Sequence, residues 1–342
     1  MENLGLVGFQ GAGANQLFSA LTGLDAPSEF ESAIGIATVA DDRVDALAQM
    51  SASRKLVHAG FELVHLALPP GVKPGEGLGA RFVGQLRDCD AICFILRGYD
   101  DGTGPPRAAD DLASLQLELI VADLESVEAR INKQRRALKG DKSLQAEVDA
   151  LEHAHTVLGD GTPLFEGDLS AEETALLAAS FLLTVKPSLV VVNVDETEAS
   201  GSTATDQFGP DALAACIDIE AEIAACDPED RAEMRASFGI GESVLPRLAR
   251  AAYHLLGRRT FLTTGEDESR AWTFRAGARA PECAGVIHSD LERGFIRAEV
   301  IRWDDLLEIG AWSKAREAGR LRVEGKEYEV ADGDVLEIRF NV

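Results

Sequence analysis

The chain has 342 residues, with 33 Lys and Arg against 58 Asp and Glu, and its formal net charge of −25 argues against a general coat for nucleic acid. Hydrophobic residues make up 46% and charged residues 27%, a composition that packs cores rather than staying disordered or fibrous. At roughly 150 residues per domain, about two or three domains are expected. No apolar run approaches the roughly 18 residues of a membrane helix, and the start lacks the basic residues of a signal peptide, so a cytoplasmic protein without a membrane partner is expected.

The first strand is expected at Leu4 to Val7, followed by strands at Leu63 to Leu68, Ala91 to Leu96 and Leu189 to Val192. Such apolar, partly β-branched runs, alternating with helical stretches, are how an α/β fold around a mostly parallel sheet reads. From Asp110 the chain lacks proline to about Leu158, and Leu117, Ile120, Val121, Leu124, Val127 and Ile131 recur at spacings of three and four. This predicts one long amphipathic helix. After Gly140 a second stripe runs through Leu144, Val148, Leu151 and Leu158, with His155 filling the remaining step, so two antiparallel helices are expected. The Gly159 to Pro163 cluster ends the second helix, and Ser200 to Thr205 reads as a flexible loop. From about Thr260 short β segments are expected at Glu299 to Ile301, Leu321 to Val323, Tyr328 to Val330 and Leu336 to Val342.

Five cysteines, Cys89, Cys93, Cys216, Cys226 and Cys283, are odd in number and include no C-x-x-C pair, so neither a disulfide framework nor a zinc site is signalled. Cys93, inside an apolar run, reads as a small core hydrophobe. His153 and His155 cannot face one ligand from one helix.

The chemically informative segment follows the first strand: Gly8-Phe9-Gln10-Gly11-Ala12-Gly13-Ala14-Asn15, running into the helical Gln16 to Leu21. In a strand, glycine turn, helix context, successive backbone N–H groups converge on an anion. Against G-x-x-x-x-G-K-[ST], Gly8 and Gly13 match, but Ala14 stands at the lysine position and Asn15 at the Mg²⁺-binding hydroxyl. The loss of both removes most of the electrostatic catalysis such a loop supplies, while the backbone nest survives. The competing reading is a turn kept for packing. A dinucleotide fingerprint fits less well, because Gln16 stands where its third glycine would.

The run Arg270 to Phe274, the stretch from Ala280-Pro281-Glu282-Cys283-Ala284-Gly285 to Val300, and the ending from Asp332-Gly333-Asp334-Val335 to Val342 resemble the YchF / Obg-like ATPase family, as do Gly75 to Gly79, Arg87 to Ile92 and Ala122 to Glu128. The resemblance runs along almost the whole chain. It implies a P-loop NTPase-like domain with a mostly parallel sheet (residues 1–110 and 165–259), an inserted antiparallel helical hairpin (111–164) and a C-terminal α+β domain like the TGS, ubiquitin-like β-grasp fold (260–342). It also implies a purine nucleotide, ATP over GTP, held by Gly8, Gly11, Ala12, Gly13, Ala14, Asn15 and Gln16 on the phosphate side and by Asn193, Val194 and Glu196 on the base side. Asn193-Val194-Asp195-Glu196 is similar to the family's adenine-favouring motif, and Cys216 to Ile223 to the motif beside the base.

The phosphate side departs from the family. No Thr lies in Gly23 to Ala37, where the first switch supplies a Mg²⁺ ligand, and Val64 to Gly71, in place of D-x-A-G, contains no Asp. Weakened nucleotide binding, lost hydrolysis, no catalytic residue and no Mg²⁺ on the usual ligands are therefore expected of a pseudo-NTPase. The alternatives are a slow Mg²⁺-dependent ATPase or GTPase of the same family, and a ligand-free adaptor.

Residues 130–142 hold six cations, Arg130, Lys133, Arg135, Arg136, Lys139 and Lys142, against Asp141 alone. At the tip of the expected hairpin they suit RNA phosphates, with the ribosome or a translation factor as partner and DNA excluded; the bland reading is a solvated turn whose cations suit a helix C-terminus. A second acid-free stretch, Ser243 to Gly265, carries Arg247, Arg250, Arg258 and Arg259. Trp272, Phe274 and Trp303 read as core aromatics in preference to base-stacking platforms.

Overall fold

Apolar runs long enough to be covered on both faces become the central strands of the computed structural model, which describes all residues except Met1, Glu29, Pro70, Gly71, Lys73, Pro74, Glu76, Thr103, Ala199 to Ser202 and Val342. The ends of the Val64–Gly71 run and of the C-terminal strand, Glu76 in the Gly75–Gly79 run, and Ser200 to Ser202 of the polar loop lie outside the described residues. The chain forms two compact units, residues 1–35 with 62–245, and residues 36–61 with 246–342.

In chain order the elements are β1 (Asn3–Val7), α1 (Ala14–Thr22), β2 (Ala33–Val39), α2 (Asp42–Met50), β3 (Lys55–Val57), β4 (Ala59–His65), α3 (Ala80–Arg87), β5 (Ala91–Arg97), α4 (Ala108–Ala137), α5 (Gln145–Gly159), α6 (Ala171–Leu177), β6 (Ser188–Asn193), β7 (Leu213–Ala215), α7 (Ile217–Ala225), α8 (Arg231–Ser237) and α9 (Leu245–Leu255). One sheet has the order β2-β4-β1-β5-β6-β7, and its β1–β4, β1–β5, β5–β6 and β6–β7 pairs are all parallel. Strand β5 is buried from Ala91 to Leu96, Cys93 included, and burial pushes that thiol up to about 12. Strand β4 begins earlier and ends earlier than its apolar run suggests, since Ala59-Gly60-Phe61 pairs despite its weak strand propensity and the chain after His65 turns toward Pro69.

Helix α4 serves two cores, which is why its periodicity is blurred. Leu115 and Leu119 join the sheet's core with Phe82, Leu86 and Phe94, whereas Ile120, Val127 and Ile131 meet Leu151, Ala154 and Leu158 of α5. Two residues assigned to the stripe lie elsewhere: Leu117 and Val121 are 54% and 46% exposed, because Leu115, Leu119 and Asp123 take the inward direction. His155 is likewise no seam residue; its Nε2 lies 3.2 Å from a Glu128 carboxylate oxygen on the helix surface.

The hairpin is fixed by Asp123, which is fully buried on α4. Its carboxylate accepts from Leu183 N at 2.9 Å, Thr184 N at 2.8 Å and Thr184 Oγ1 at 2.7 Å. Replacing Asp123 with Ala strands three buried donors, so a loss of roughly 3–5 kcal/mol is expected in urea unfolding of the full chain, and Asp123→Asn, which keeps one acceptor, should cost less.

At the base of α5, His153 places Nδ1 2.8 Å from Glu173 and Nε2 3.1 Å from Asp168. The Glu173 hydrogen bond first, then the two carboxylate charges, raise the His153 pKa above its ordinary 6.5, while hydrogen bonds from Ser170 and His153 hold Glu173 at about 2. The histidine's contribution is complete below pH 6.5 and fades as pH rises through its folded value; the glutamate's is complete above its ordinary 4.5 and fades as pH falls toward about 2. Amide exchange of α5 and α6 should therefore be slowest between about pH 4.5 and 6.5 after correction for intrinsic rates, and His153→Gln should abolish the rise in exchange on the alkaline side.

The second unit holds β8 (Arg258–Thr263), β9 (Glu268–Arg275), α10 (Ala280–Ile287), α11 (Ser289–Arg293), β10 (Phe295–Arg302), α12 (Trp303–Ile309), α13 (Trp312–Glu317), β11 (Arg322–Glu324) and β12 (Asp334–Phe340), in a mixed sheet of order β11-β10-β12-β8-β9-β3. It takes in residues 36–61, which the sequence pattern did not separate from the α/β domain: β3 adds a parallel edge to β9, and Arg43 in the first turn of α2 holds Asp41 with a two-pronged contact and Asp332 at 2.7 Å. Tyr328 to Val330 is not a strand; it makes one antiparallel bridge, Arg279 to Glu329, and spends the Tyr328 hydroxyl on buried Asp334 at 2.6 Å. Of the three aromatics expected in the core, Phe274 is buried there, Trp272 is half-buried against it, and Trp303, half-buried at the start of α12, joins no core cluster. Phe274 packs on Phe261, and Trp272 stacks on Phe261 with 6.3 Å between centroids under the Arg270 guanidinium. Among the described residues, no helix is long and apolar enough to cross a membrane.

Candidate functional site

Strand β1 delivers the chain to Gly8, where a Cβ would stand 2.6 Å from the Ile95 carbonyl oxygen, so the turn can start beside β5 only with glycine there. Gly11 and Gly13 adopt φ of 80° and 93°, which L side chains rarely tolerate. Helix α1 then starts at Ala14 with Gly13 as N-cap and no side chain capping it. The first-turn amides of Ala14, Asn15 and Gln16 therefore have no intrahelical acceptor, and the positive end of the helix dipole adds to their pull on an anion.

Two side chains hold this loop from outside. Asn193, 3% exposed at the end of β6, donates from Nδ2 to the Ala12 carbonyl at 3.1 Å and accepts the Ile217 amide on Oδ1 at 3.0 Å. A Cβ on Gly13 would lie 2.7 Å from the same Nδ2. Tyr99, whose importance no sequence pattern signalled, donates its hydroxyl to the Gly11 carbonyl at 2.9 Å. With consecutive carbonyls of Gly11 and Ala12 turned outward, the amides that follow are oriented the other way. Tyr99→Phe should speed exchange of the amides at 11–14 roughly fivefold, the scale of one lost hydrogen bond, and leave the melting temperature almost unchanged.

The remaining base-side residues differ in character. Val194 is buried and its amide bonds the Ala215 carbonyl at 2.9 Å. Glu196 is exposed at the start of a short 3₁₀ turn that Asp195 stabilises by accepting Thr197 N at 2.9 Å. Gln16 keeps its Oε1 buried without a hydrogen-bond partner, so whatever reaches it must bring an N–H or O–H rather than another anion.

In front of the loop lies a pocket of about 30 Å³, lined by Gly8 to Gly11 and Gly13 to Asn15 on one side and by Phe30, His65, Leu66, Leu68, Pro69 and Val72 on the other. His65, nearly buried, brings its Nδ1 to 3.0 Å from the Glu31 carbonyl oxygen. The donor set here is poor for Mg²⁺: among the described residues lining the pocket there is no carboxylate and no hydroxyl, and the side-chain oxygens present are the neutral amide carbonyls of Gln10 and Asn15. Nor do the described residues contain any group of three or more His, Cys, Asp or Glu placed to hold a metal. The amide cradle, by contrast, fits a phosphate group.

The hairpin cations divide into two sets. Arg130 forks onto Glu147 at 2.8 and 3.0 Å and donates to the Ala179 carbonyl at 2.7 Å, and Arg135 pairs with Glu152 at 2.9 Å. Arg130 is thereby a structural tie of α4 to α5 rather than an open contact. Lys133, Arg136 and Lys139 are exposed, with no ion pair among the described residues.

A family model described as "YchF-GTPase_C: Protein of unknown function (DUF933)" matches residues 259–341. The "Ribosome-binding ATPase YchF" of Bacillus subtilis (strain 168) is 38% identical over 361 residues, covering 99% of each chain. The chain belongs to the YchF family. The protein of that name from Escherichia coli O157:H7 is 37% identical over 358 residues, again covering 99% of each chain. The solved structure of the Schizosaccharomyces pombe YchF GTPase superposes with a TM-score of 0.87 at 27% identity, over 99% of this chain and 97% of that one. The α/β unit with its mostly parallel sheet and the α+β C-terminal region are thus those of a YchF fold, and Ala14, Asn15 and His65 stand inside it on the face of the phosphate loop that carries charge chemistry in P-loop proteins.

Proposed function

We propose that this YchF-family chain is a cytoplasmic, ribosome-associated protein that holds a purine nucleotide, adenine in preference to guanine, by backbone amides and no longer hydrolyses it by Mg²⁺-assisted phosphoryl transfer. The observation that carries the reading is the pairing of a loop held in anion-binding shape by Asn193 and Tyr99 with a facing pocket of apolar side chains. Gly8, Gly11, Ala12, Gly13, Ala14, Asn15 and Gln16 form the phosphate side of the proposed site and Asn193, Val194 and Glu196 the base side. Asn193 acts first by shaping the loop; its second N–H and second lone pair remain for a base edge. Relatives named as ribosome-binding support the ribosome as partner, and the division of labour proposed is hairpin 111–164 for RNA contact, residues 1–110 with 165–259 for the nucleotide and the TGS-like 260–342 for further docking.

That the relatives are named as ATPases also favours a second reading, a slow ATPase that makes do without lysine. Phosphate release by the full chain decides between them. The expected outcome is turnover indistinguishable from a Gly13→Ala variant, with or without Mg²⁺; Mg²⁺-dependent release abolished by that variant would establish the ATPase instead.

For the partner, the triple variant Lys133→Glu, Arg136→Glu, Lys139→Glu should lose co-sedimentation with purified ribosomes, whereas Arg135→Ala alone should reduce it little, because Arg135 already faces Glu152. Equal sedimentation of parent and triple variant at moderate salt would remove the hairpin from the contact.

A further inference from the structure

Resting on the reading above that the hairpin meets RNA, we infer that one flank of the hairpin seats a single unpaired nucleobase carrying an amino group, with the adjoining phosphates on Arg136 and Lys139. The two flanks of the α4–α5 seam differ. On one, the chain after α5 folds back over the helices: Arg130 reaches the Ala179 carbonyl at 2.7 Å, and His153 lies between Asp168 and Glu173. On the other runs an open groove of about 340 Å³, room for about ten water molecules. Buried Ile131 forms its floor, and Glu128, Asn132 and Arg135 of α4 face Glu152 and His155 of α5 across it.

Unpaired bases are held by stacking on imidazole or guanidinium planes and by hydrogen bonds to their free edges, neither of which a base inside a duplex can offer. The groove has both kinds of group. The His155 imidazole places Nε2 3.2 Å from Glu128 Oε1, and the Arg135 guanidinium sets Nε at 3.0 Å and Nη2 at 2.9 Å from Glu152 Oε1, so each planar group is positioned by a carboxylate. Each contact uses one carboxylate oxygen, which leaves Oε2 of Glu128 and of Glu152 as acceptors. The exposed Asn132 carboxamide makes no hydrogen bond among the described residues and adds a donor and an acceptor. A rim rich in acceptors calls for N–H groups on the base. Adenine, cytosine and guanine bring an exocyclic amino group, whereas uracil sets carbonyl oxygens against the carboxylates. Arg136 stands one turn beyond Asn132, and Lys139 follows just past the end of α4, both exposed and without an ion pair among the described residues. The strand's phosphates therefore meet cations as its base enters the groove: charge supplies affinity, and the groove supplies choice.

Fluorescence anisotropy of the full chain with labelled oligoadenylate, oligocytidylate, oligouridylate and an RNA duplex of equal length, over a salt series, tests this. Oligoadenylate and oligocytidylate are expected to bind roughly tenfold more tightly than oligouridylate or the duplex. Asn132→Leu, a change at an exposed helix position checked for folding by its melting curve, should remove most of that preference and leave the salt dependence as it was. Arg136→Glu with Lys139→Glu should instead weaken all four RNAs and flatten the salt dependence. Equal affinity for oligoadenylate and oligouridylate, equal affinity for single strand and duplex, or an unchanged preference in folded Asn132→Leu would each overturn the inference and leave a hairpin that meets RNA by charge alone. Absence of binding to all four would sink the RNA reading itself, and the inference with it.

Discussion

The Asn193 carboxamide sits between two backbone groups that would otherwise be buried and unpaired, the Ala12 carbonyl on one side and the first amide of α7 on the other. Removing either contact leaves a polar group in a site that is 3% exposed, a cost comparable to a substantial part of a domain's net stability. The position at the end of β6 ties three elements at the carboxyl edge of the parallel sheet: the strand, the glycine loop after β1 and the helix after β7. The loop's φ values of 80° and 93° are tolerable only because its glycines carry no Cβ, and they stay fixed because Asn193 and Tyr99 occupy its carbonyls. Loop shape is consequently a property of the sheet, independent of any ligand. The loop thus keeps its form with Ala14 at the position where G-x-x-x-x-G-K-[ST] has its lysine.

The replacements around the cradle agree with one another. Had Ala14 alone departed from the pattern, a nearby arginine or metal could supply the missing charge. Here Ala14 and Asn15 line one pocket with His65, Phe30, Leu66 and Leu68, and no lysine or arginine stands among its described lining residues.

Much of this was legible in the sequence, and the parts that were not have physical reasons. Strands β1, β5 and β6 announce themselves because a parallel strand covered on both faces must be continuously apolar. The glycine turn announces itself because Gly8, Gly11 and Gly13 have few other uses between a strand and a helix. Residues 36–61 were illegible: β3 is a three-residue edge strand whose partner β9 lies more than 200 residues on, and no local pattern encodes a pairing of that range. Tyr99 was missed for a similar reason, since its contact with Gly11 spans 88 residues and its own neighbourhood reads as an ordinary loop. The mixed assignment along α4 failed where one helix faces two cores, so that residues spaced by three and four, Leu117 among them, satisfy the pattern while pointing to solvent. The sequence shows how many cations the hairpin carries but not which are free, because whether Arg130 is open or tied depends on Glu147 and Ala179.

That sorting bears on where a chain of net charge −25 can present positive charge. Asp123 anchors α4 to the chain before β6, and Arg130 ties it to α5, so the helix leaves its anchor as a stiff rod. At 1.5 Å per residue, the 13 residues from Asp123 to Arg136 carry the side chain roughly 20 Å along the axis. The Debye length at physiological ionic strength is about 8 Å, so the acids around the anchor are screened at the tip, where Lys133, Arg136, Lys139 and Lys142 outnumber Asp141. The nearer acids, Glu147 and Glu152, are already engaged by Arg130 and Arg135. Two of the stretch's arginines thus pair with Glu147 and Glu152, and the length of the helix separates the remaining cations from the acids around its anchor.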